Sequence, residues 1–446
     1  MIETYDPPFA RLAESVPALV TERLCGRVKT VRGQTIGTVG FPAPIGARCE
    51  LRTTSGVTIR GEVIGVRSDE TLVSLFGDAT GIRPGDPVHC RSAAPGAAVG
   101  HDLLGRVIDA DGAPLDGRPA PILNLRYPLH QSAPAPLRRR AVDTPLGLGV
   151  RAIDALLTAG LGQRLGVFAG TGVGKSVLMG MICRRTQADI NVIALIGERG
   201  REVRDFVEKQ LGPEGLARSV VVACTSDEPA ALRVRACLHA TAIAEYFRDR
   251  GHNVLFMMDS LTRLAMAQRQ LGLAAGEPPT AKGYPPSVYA LLPRLLERAG
   301  RSEVGSITGI YTVLVEGDDI GEPLADAVRG ILDGHIWLSR SLANRGHFPA
   351  IDVLNSISRV ADDVIEEPHR RAARRLRRVL ATWHDIEDLV NIGAYVKGTN
   401  PEYDAAVRSR PLVEAFLTQD RDVGADYSEH VAALLALEPA LAPGSG

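Results

Sequence analysis

The segment that most constrains this chain is Ala169–Ser176 (AGTGVGKS), set between the apolar run Arg164–Ala169 and a stretch that places Val177, Leu178, Met181 and Ile182 on one helical face. A glycine-rich turn joining a strand to a helix lets successive backbone N–H groups face inward around an anion, because no Cβ stands in the way. The helix that follows aims the positive end of its dipole at the same point. In such a loop the backbone of Gly170, Thr171, Gly172, Val173 and Gly174 cradles phosphates, Lys175 reaches the β- and γ-phosphates, and the Ser176 hydroxyl ligates Mg²⁺. The pattern's first glycine is Ala169 here, while the phosphate-facing positions are intact. The loop therefore predicts a magnesium–nucleoside triphosphate as ligand.

The flanking sequence alternates buried strands with amphipathic helices. Strands are expected at Asn191–Gly197, Ser219–Thr225 and Asn253–Asp259. A helix follows the first of them, with Val203, Phe206, Val207 and Leu211 on one face, and another ends near Gly251. This alternation predicts an α/β fold with a parallel sheet covered on both faces. Ligands of such sheets bind at the carboxyl ends of the strands. Asp259, closing the strand Val254–Met258, is thus placed to take part in holding the metal. Glu198, following Asn191–Gly197, is placed to orient or deprotonate a water near the γ-phosphate. Without the phosphate loop, both would read as ordinary strand-end or capping acids. No N-K-x-D motif, the usual guanine reader, is present, which favours adenine.

Before the loop the texture is different. From Thr21 to Ser92, short runs such as Val63–Val66 and Thr71–Phe76 are broken by glycines and by Ser68-Asp69-Glu70, which predicts a small closed barrel. Ala93–Val99, rich in Ala, Pro and Gly, reads as a linker. Residues 1–21 form a leader, read either as a membrane- or partner-contacting segment or as an arm packed on its own domain. Beyond Glu367 the sequence is helical and basic, and Arg370, Arg371, Arg374, Arg375, Arg377 and Arg378 read as a solvated helix face. The tail 443–446 is expected to be disordered.

With 446 residues the chain exceeds what one core usually supports, so two or three domains are expected. Its 51 basic and 52 acidic residues nearly cancel, and a dedicated nucleic-acid binder would show a basic excess. None of the six cysteines forms a C-x-x-C pair, which fits a reducing cytoplasm. Neither a signal peptide nor a membrane-spanning run is expected.

Several longer motifs carry a resemblance. Leu104–Gly117, Arg151–Arg164, the AGTGVGKS loop, Ile196–Arg204 (IGERGREVR) and Pro349–Ser358 (PAIDVLNSIS) resemble the rotary-type ATPase superfamily. Met258–Leu264, Gln268–Pro286, Leu292–Gly300 and Tyr311–Asp319 are similar to the ATPase of type III protein export. Of its two subgroups, flagellar and virulence injectisome, Ser341–Val360 and Asp205–Leu211 look more like the flagellar form.

The resemblance implies a RecA-like P-loop core (96–366) with an N-terminal β-barrel (22–95) and a C-terminal helical domain (367–440). It implies a cytoplasmic Mg-dependent ATPase that energises protein export as a homohexamer, peripheral at the base of an export apparatus in the inner membrane. Its partners would be a central stalk, peripheral regulators, an export gate, substrates and their chaperones. It makes Glu198 the carboxylate that polarises water, Phe348 the aromatic that stacks on adenine, and Arg359 a finger inserted into the neighbouring subunit's site. Three other readings compete: a hexameric RNA translocase, a catalytic chain of a rotary ATP synthase, and a purely binding or structural role. The near-neutral charge weighs against the first. The presence of Phe348 and Arg359 on one chain weighs against the second, and the placement of Glu198 against the third.

Overall fold

The computed structural model describes residues 24–442 apart from 68, 93–95 and 316–320, so the leader 1–21 and the tail 443–446 lie outside the described residues. Six short strands, β1 (Cys25–Arg32), β2 (Thr35–Val39), β3 (Arg48–Arg52), β4 (Thr58–Arg67), β5 (Glu70–Leu75) and β6 (Pro87–Ser92), close into an antiparallel barrel in the order β1-β2-β5-β4-β3-β6. Val28, Ile36, Leu51, Val63, Val73 and Val88 from the six strands are buried together in one core inside it.

The linker reading of Ala93–Val99 is corrected in part. Gly96–Val99 is a strand (β7) paired antiparallel with β9 (Leu125–Pro128), and Ala97 and Val99 are buried beside Ala236 and Ala240 of the helix Ala230–Arg248. Small side chains that resemble linker composition here permit a close strand–helix approach.

The second body is a sheet in the order β19-β18-β12-β17-β15-β13-β14-β8. Its strands are β8 (Arg106–Ile108), β12 (Arg164–Ala169), β13 (Ile190–Glu198), β14 (Ser219–Thr225), β15 (Asn253–Asp259), β17 (Ser306–Leu314), β18 (Gly334–Leu338) and β19 (Ile351–Ser358). All pair in parallel except β19, which runs antiparallel to β18. The short strand β16 (Gly300–Arg301) pairs off this path with β17, and β10 (Pro145–Leu146) pairs with β11 (Ala159–Gly160) as a separate ribbon. Strands such as β13 and β15 are buried almost throughout because helices cover both faces.

One face carries the helices Ala230–Arg248, Leu261–Ala274 and Pro286–Leu296. The other carries Arg151–Leu156 and Lys175–Arg185 together with the C-terminal helices Glu367–Asn391, Pro401–Leu417 and Tyr427–Leu437. The C-terminal helices thus pack on the same face as the helix that follows the phosphate loop. Asp154, fully buried, links the two: it accepts from the N–H groups of Leu148 and Gly149, and its Oδ2 lies 2.9 Å from His430 Nδ1. Among the described residues, no helix is long and apolar enough to cross a membrane.

The arginine run is not uniformly solvated. Arg377 donates to the Leu156 carbonyl at 2.8 Å, Arg370 donates to the carbonyl of Ile365 at 3.1 Å, and Arg371, Arg374, Arg375 and Arg378 line a cleft. One helical face carries both functions because the helix lies in a corner between the sheet and its own neighbours.

Barrel and sheet are joined by buried charge. Arg235, on the helix Ala230–Arg248 and 4% exposed, donates to Asp111 at 2.8 Å and to Glu62 of β4 at 3.1 Å. Arg48 of β3 donates to the other oxygen of Asp111. A buried ion pair that loses one partner leaves an uncompensated charge. Arg235→Met is therefore expected to destabilise the chain by about 3 kcal/mol in denaturant unfolding; unchanged midpoints would show that the apolar junction alone holds the barrel.

Candidate active site

β12 ends at Ala169, which is fully buried and pairs with Leu314 and Leu338. Its methyl group belongs to the core beneath the loop, which is why alanine stands where the pattern has glycine. The turn then runs through Gly172 and Gly174, both in the left-handed region (φ 80° and 93°). Val173 between them sends its side chain into the core, so that only its backbone faces the loop. Gly174 is the N-cap of the helix Lys175–Arg185, whose first-turn N–H groups have no intrahelical partner.

Three charged side chains meet under this loop. Lys175 Nζ is hydrogen-bonded to Asp259 Oδ1 and lies 3.6 Å from Glu198 Oε1. Asp259, 3% exposed, also accepts at 2.7 Å from Thr312 Oγ1 on β17, the strand between β12 and β15. Topology makes this meeting possible: Asp259 and Glu198 end adjacent parallel strands, and Asp259 is level with Leu195, so Glu198 projects beyond it. Burial opposes the charge on Lys175, but the two carboxylates more than offset it and raise its pKa. Burial pushes the Glu198 carboxyl up to about 7, Asp259 adds to this, and Lys175 opposes it. Glu198 Oε1 is buried without a hydrogen-bond partner. An acceptor left open at this edge, on a carboxyl that titrates near neutrality, is suited to take a proton from water.

Phe348 is brought to the same place. It is 45% exposed, and a Cβ built on Gly174 would lie 3.6 Å from its ring. Its loop is tied down by buried Gln419, whose N–H donates to the Phe348 carbonyl at 2.9 Å and whose side chain bonds the backbone of Arg151 and Gly149.

Arg359 is not brought there. Ala169 is level with Leu338, Leu338 with Ile351, and Gly334 with Ser358. Gly334 and Leu338 are four positions apart, roughly 13 Å along the strand. Arg359 therefore leaves the sheet at the edge opposite its own phosphate loop. It is exposed, and its side chain has no ion pair among the described residues.

Two residues at the site were not singled out from sequence. Thr312 orients Asp259 and is visible only once β17 is known to lie between β12 and β15. Arg263, in the first turn of the helix Leu261–Ala274, lays its stem against Gly197 (φ 68°), where a Cβ would fall 2.9 Å from that stem; its Nε is buried and unpartnered. Its position one turn after a strand-end Asp-Ser was the available signal.

Mg²⁺ fits the donors present. Ser176 is exposed in the helix's first turn and Asp259 supplies a carboxylate, both hard oxygen ligands. Among the described residues no group of three or more His, Cys, Asp or Glu could hold an ion alone. That is the ordinary situation for Mg²⁺ carried by a nucleotide, which needs only one or two protein oxygens.

Comparison with known proteins matches the three parts of the chain to known domains. Residues 149–358 match the nucleotide-binding domain of the ATP synthase alpha/beta family, 32–91 its beta-barrel domain, and 365–436 the T3SS EscN ATPase C-terminal domain. The flagellum-specific ATP synthase of Bacillus subtilis is 54% identical over 92% of this chain and 94% of that protein. This chain belongs to that family. It is an ATPase with a RecA-like core, on the branch shared by flagellum-specific ATP synthases and type 3 secretion system ATPases. The type 3 secretion system ATPase of Xanthomonas euvesicatoria is 50% identical, over 92% of this ATPase and 93% of its own length. The assembled ATPase EscN of enteropathogenic E. coli is 45% identical and covers 93% of this ATPase and 100% of EscN. The TM-score is 0.88, and 0.86 for EscN in complex with its central stalk EscO.

Lys175→Ala is expected to weaken binding of a fluorescent ATP analogue by about a hundredfold, because the charge-assisted contacts to phosphate are lost; near-normal affinity would remove Lys175 from the phosphate site. A proton acceptor at Glu198 predicts that kcat/KM falls as pH drops through about 7. The residual activity of Glu198→Gln should be flat over the same range.

Proposed function

We propose that this chain hydrolyses MgATP to energise protein export, in a ring where each site is completed by a neighbouring copy. The observation that carries the reading is the split of the machinery between the two edges of one sheet. Lys175, Glu198, Asp259 and Phe348 gather at the carboxyl edge, and Arg359 stands free at the other. A finger that cannot serve its own site serves one next door, and the assembled state of EscN supports the same arrangement here.

Lys175 is held by Asp259 and Glu198. An arriving triphosphate competes for Lys175, which frees Glu198 to accept a proton from the attacking water. The loop N–H groups and Lys175 position the phosphates, while Phe348 offers a face to adenine. Ser176 and Asp259 hold Mg²⁺, which when bound offsets charge on the phosphate oxygens. Arg359 of the adjacent copy adds fixed donors to the charge that develops on the γ-phosphoryl group. A central stalk, a peripheral regulator, an export gate and chaperoned substrates are the partners this reading assigns. With them the ATPase would work in the cytoplasm at the base of an inner-membrane apparatus, without nucleic acid.

The flagellum is the apparatus we favour, on the likeness of Ser341–Val360 and Asp205–Leu211 to the flagellar form. The match of residues 365–436 to the EscN C-terminal domain favours the injectisome as the second reading.

Arg359→Ala is expected to lower turnover about 10³-fold. Mixing it with Lys175→Ala should restore activity that neither variant has alone, since one supplies the site and the other the finger. No recovery, together with a specific activity independent of dilution, would sink the shared site. Deleting the gene and inspecting secreted proteins separates the two apparatuses: loss of hook and filament subunits marks the flagellum, loss of effectors or needle subunits the injectisome.

A further inference from the structure

The helix Glu367–Asn391 presents Arg371, Arg374, Arg375 and Arg378 at spacings of three and four residues, so all four lie on one face. Arg371, Arg374 and Arg378 are exposed, and Arg375 is half-buried. With Glu402 and Ala405 of the helix Pro401–Leu417 and with Glu438 and Leu441 of the C-terminal turn, they line a cleft of about 400 Å³. Its floor is apolar, formed by Val379, Ala405 and Leu441, all buried. None of these residues belongs to the nucleotide site.

The chain itself shows what such a cleft accepts. In the turn Glu438–Leu441, the Glu438 carboxylate receives Arg371 at 2.9 Å and lies 3.7 Å from Arg375, while Leu441, three residues on, is itself part of the floor. One wall of the cleft thus already pairs a carboxylate with two of its arginines. Among the described residues Arg374 has an ion pair with Asp362 alone, and both side chains are more than 60% exposed, a pairing easily exchanged. Arg378 is exposed and has no ion pair among the described residues.

We propose that this cleft docks an acidic amphipathic segment of another protein, with carboxylates on Arg374 and Arg378 and an apolar side chain on the floor beside Leu441. A concave site with an apolar base suits a peptide better than a flat array of lipid headgroups, which would meet the arginine rim but not the floor. The segment offers Arg374 and Arg378 the kind of group, a carboxylate, that Glu438 already offers Arg371. The proposal stands apart from the ATPase reading, because it uses none of the same residues.

The test uses the full-length protein and a labelled synthetic peptide of about 15 residues with Glu at helical spacing around one Leu stripe. The peptide should bind, and binding should weaken as salt rises from about 50 to 200 mM. The double variant R374E/R378E should lose about tenfold or more in affinity. Both positions are exposed, so the variant should fold and keep its basal ATPase rate. Glu438→Gln removes the internal competitor and should tighten binding several-fold. Equal affinity of wild type and the double variant would overturn the proposal. So would equal binding of a peptide with Gln for every Glu. Capture by phosphatidylglycerol vesicles without peptide binding would overturn it as well, in favour of a lipid surface.

Discussion

Lys175 is a cation buried beneath a loop that has no other charge to balance it. An ammonium taken out of water is tolerated only when paired, and the partners available are the carboxylates that end β15 and β13. This requirement ties the parts of the site together. Asp259 pairs with Lys175, and Thr312 steadies it from the intervening strand. Glu198, at ion-pair rather than hydrogen-bond distance, is left with a buried unpartnered oxygen and a pKa raised to about 7. Lys175, Asp259 and Glu198 are therefore held together by charge.

The packing around the phosphate-loop helix connects this chemistry to the rest of the chain. At its far end Arg184 and Arg185 donate to the carbonyls of Arg421 and Asp422, beyond the helix Pro401–Leu417. In the same loop, Gln419 holds the Phe348 carbonyl. The phosphate-loop helix and the Phe348 loop are thus both linked to one C-terminal loop.

Much of this was legible from residue order. The glycine loop announced its ligand because a phosphate cradle is built from backbone, and its residues are contiguous. The barrel and the parallel sheet followed from periodicity, with the strand Arg164–Ala169 placed to the residue. Where the reading went astray, composition stood in for packing. Gly96–Val99 looked like a linker and is a strand, since small residues serve equally in mobile segments and in tight ones. The arginine run looked solvated, yet Arg377 reaches back to a carbonyl on the helix Arg151–Leu156 and four others border a cleft. A helical wheel gives the direction of a side chain and not what stands opposite it.

The phosphate loop and the strand-end acids were determined by the sequence alone, because short-range backbone geometry and strand polarity are local properties. Only the tertiary structure decided how they meet. Strand order put Asp259 and Glu198 side by side and inserted Thr312 between Asp259 and the loop. The antiparallel turn of β19 carried Arg359 to the far edge while leaving Phe348 beside Gly174. Residues eleven apart in the chain thus end on opposite sides of the sheet. The reason is that a strand reversal is a long-range pairing choice, set by which edge of the sheet is free, and no local pattern records it.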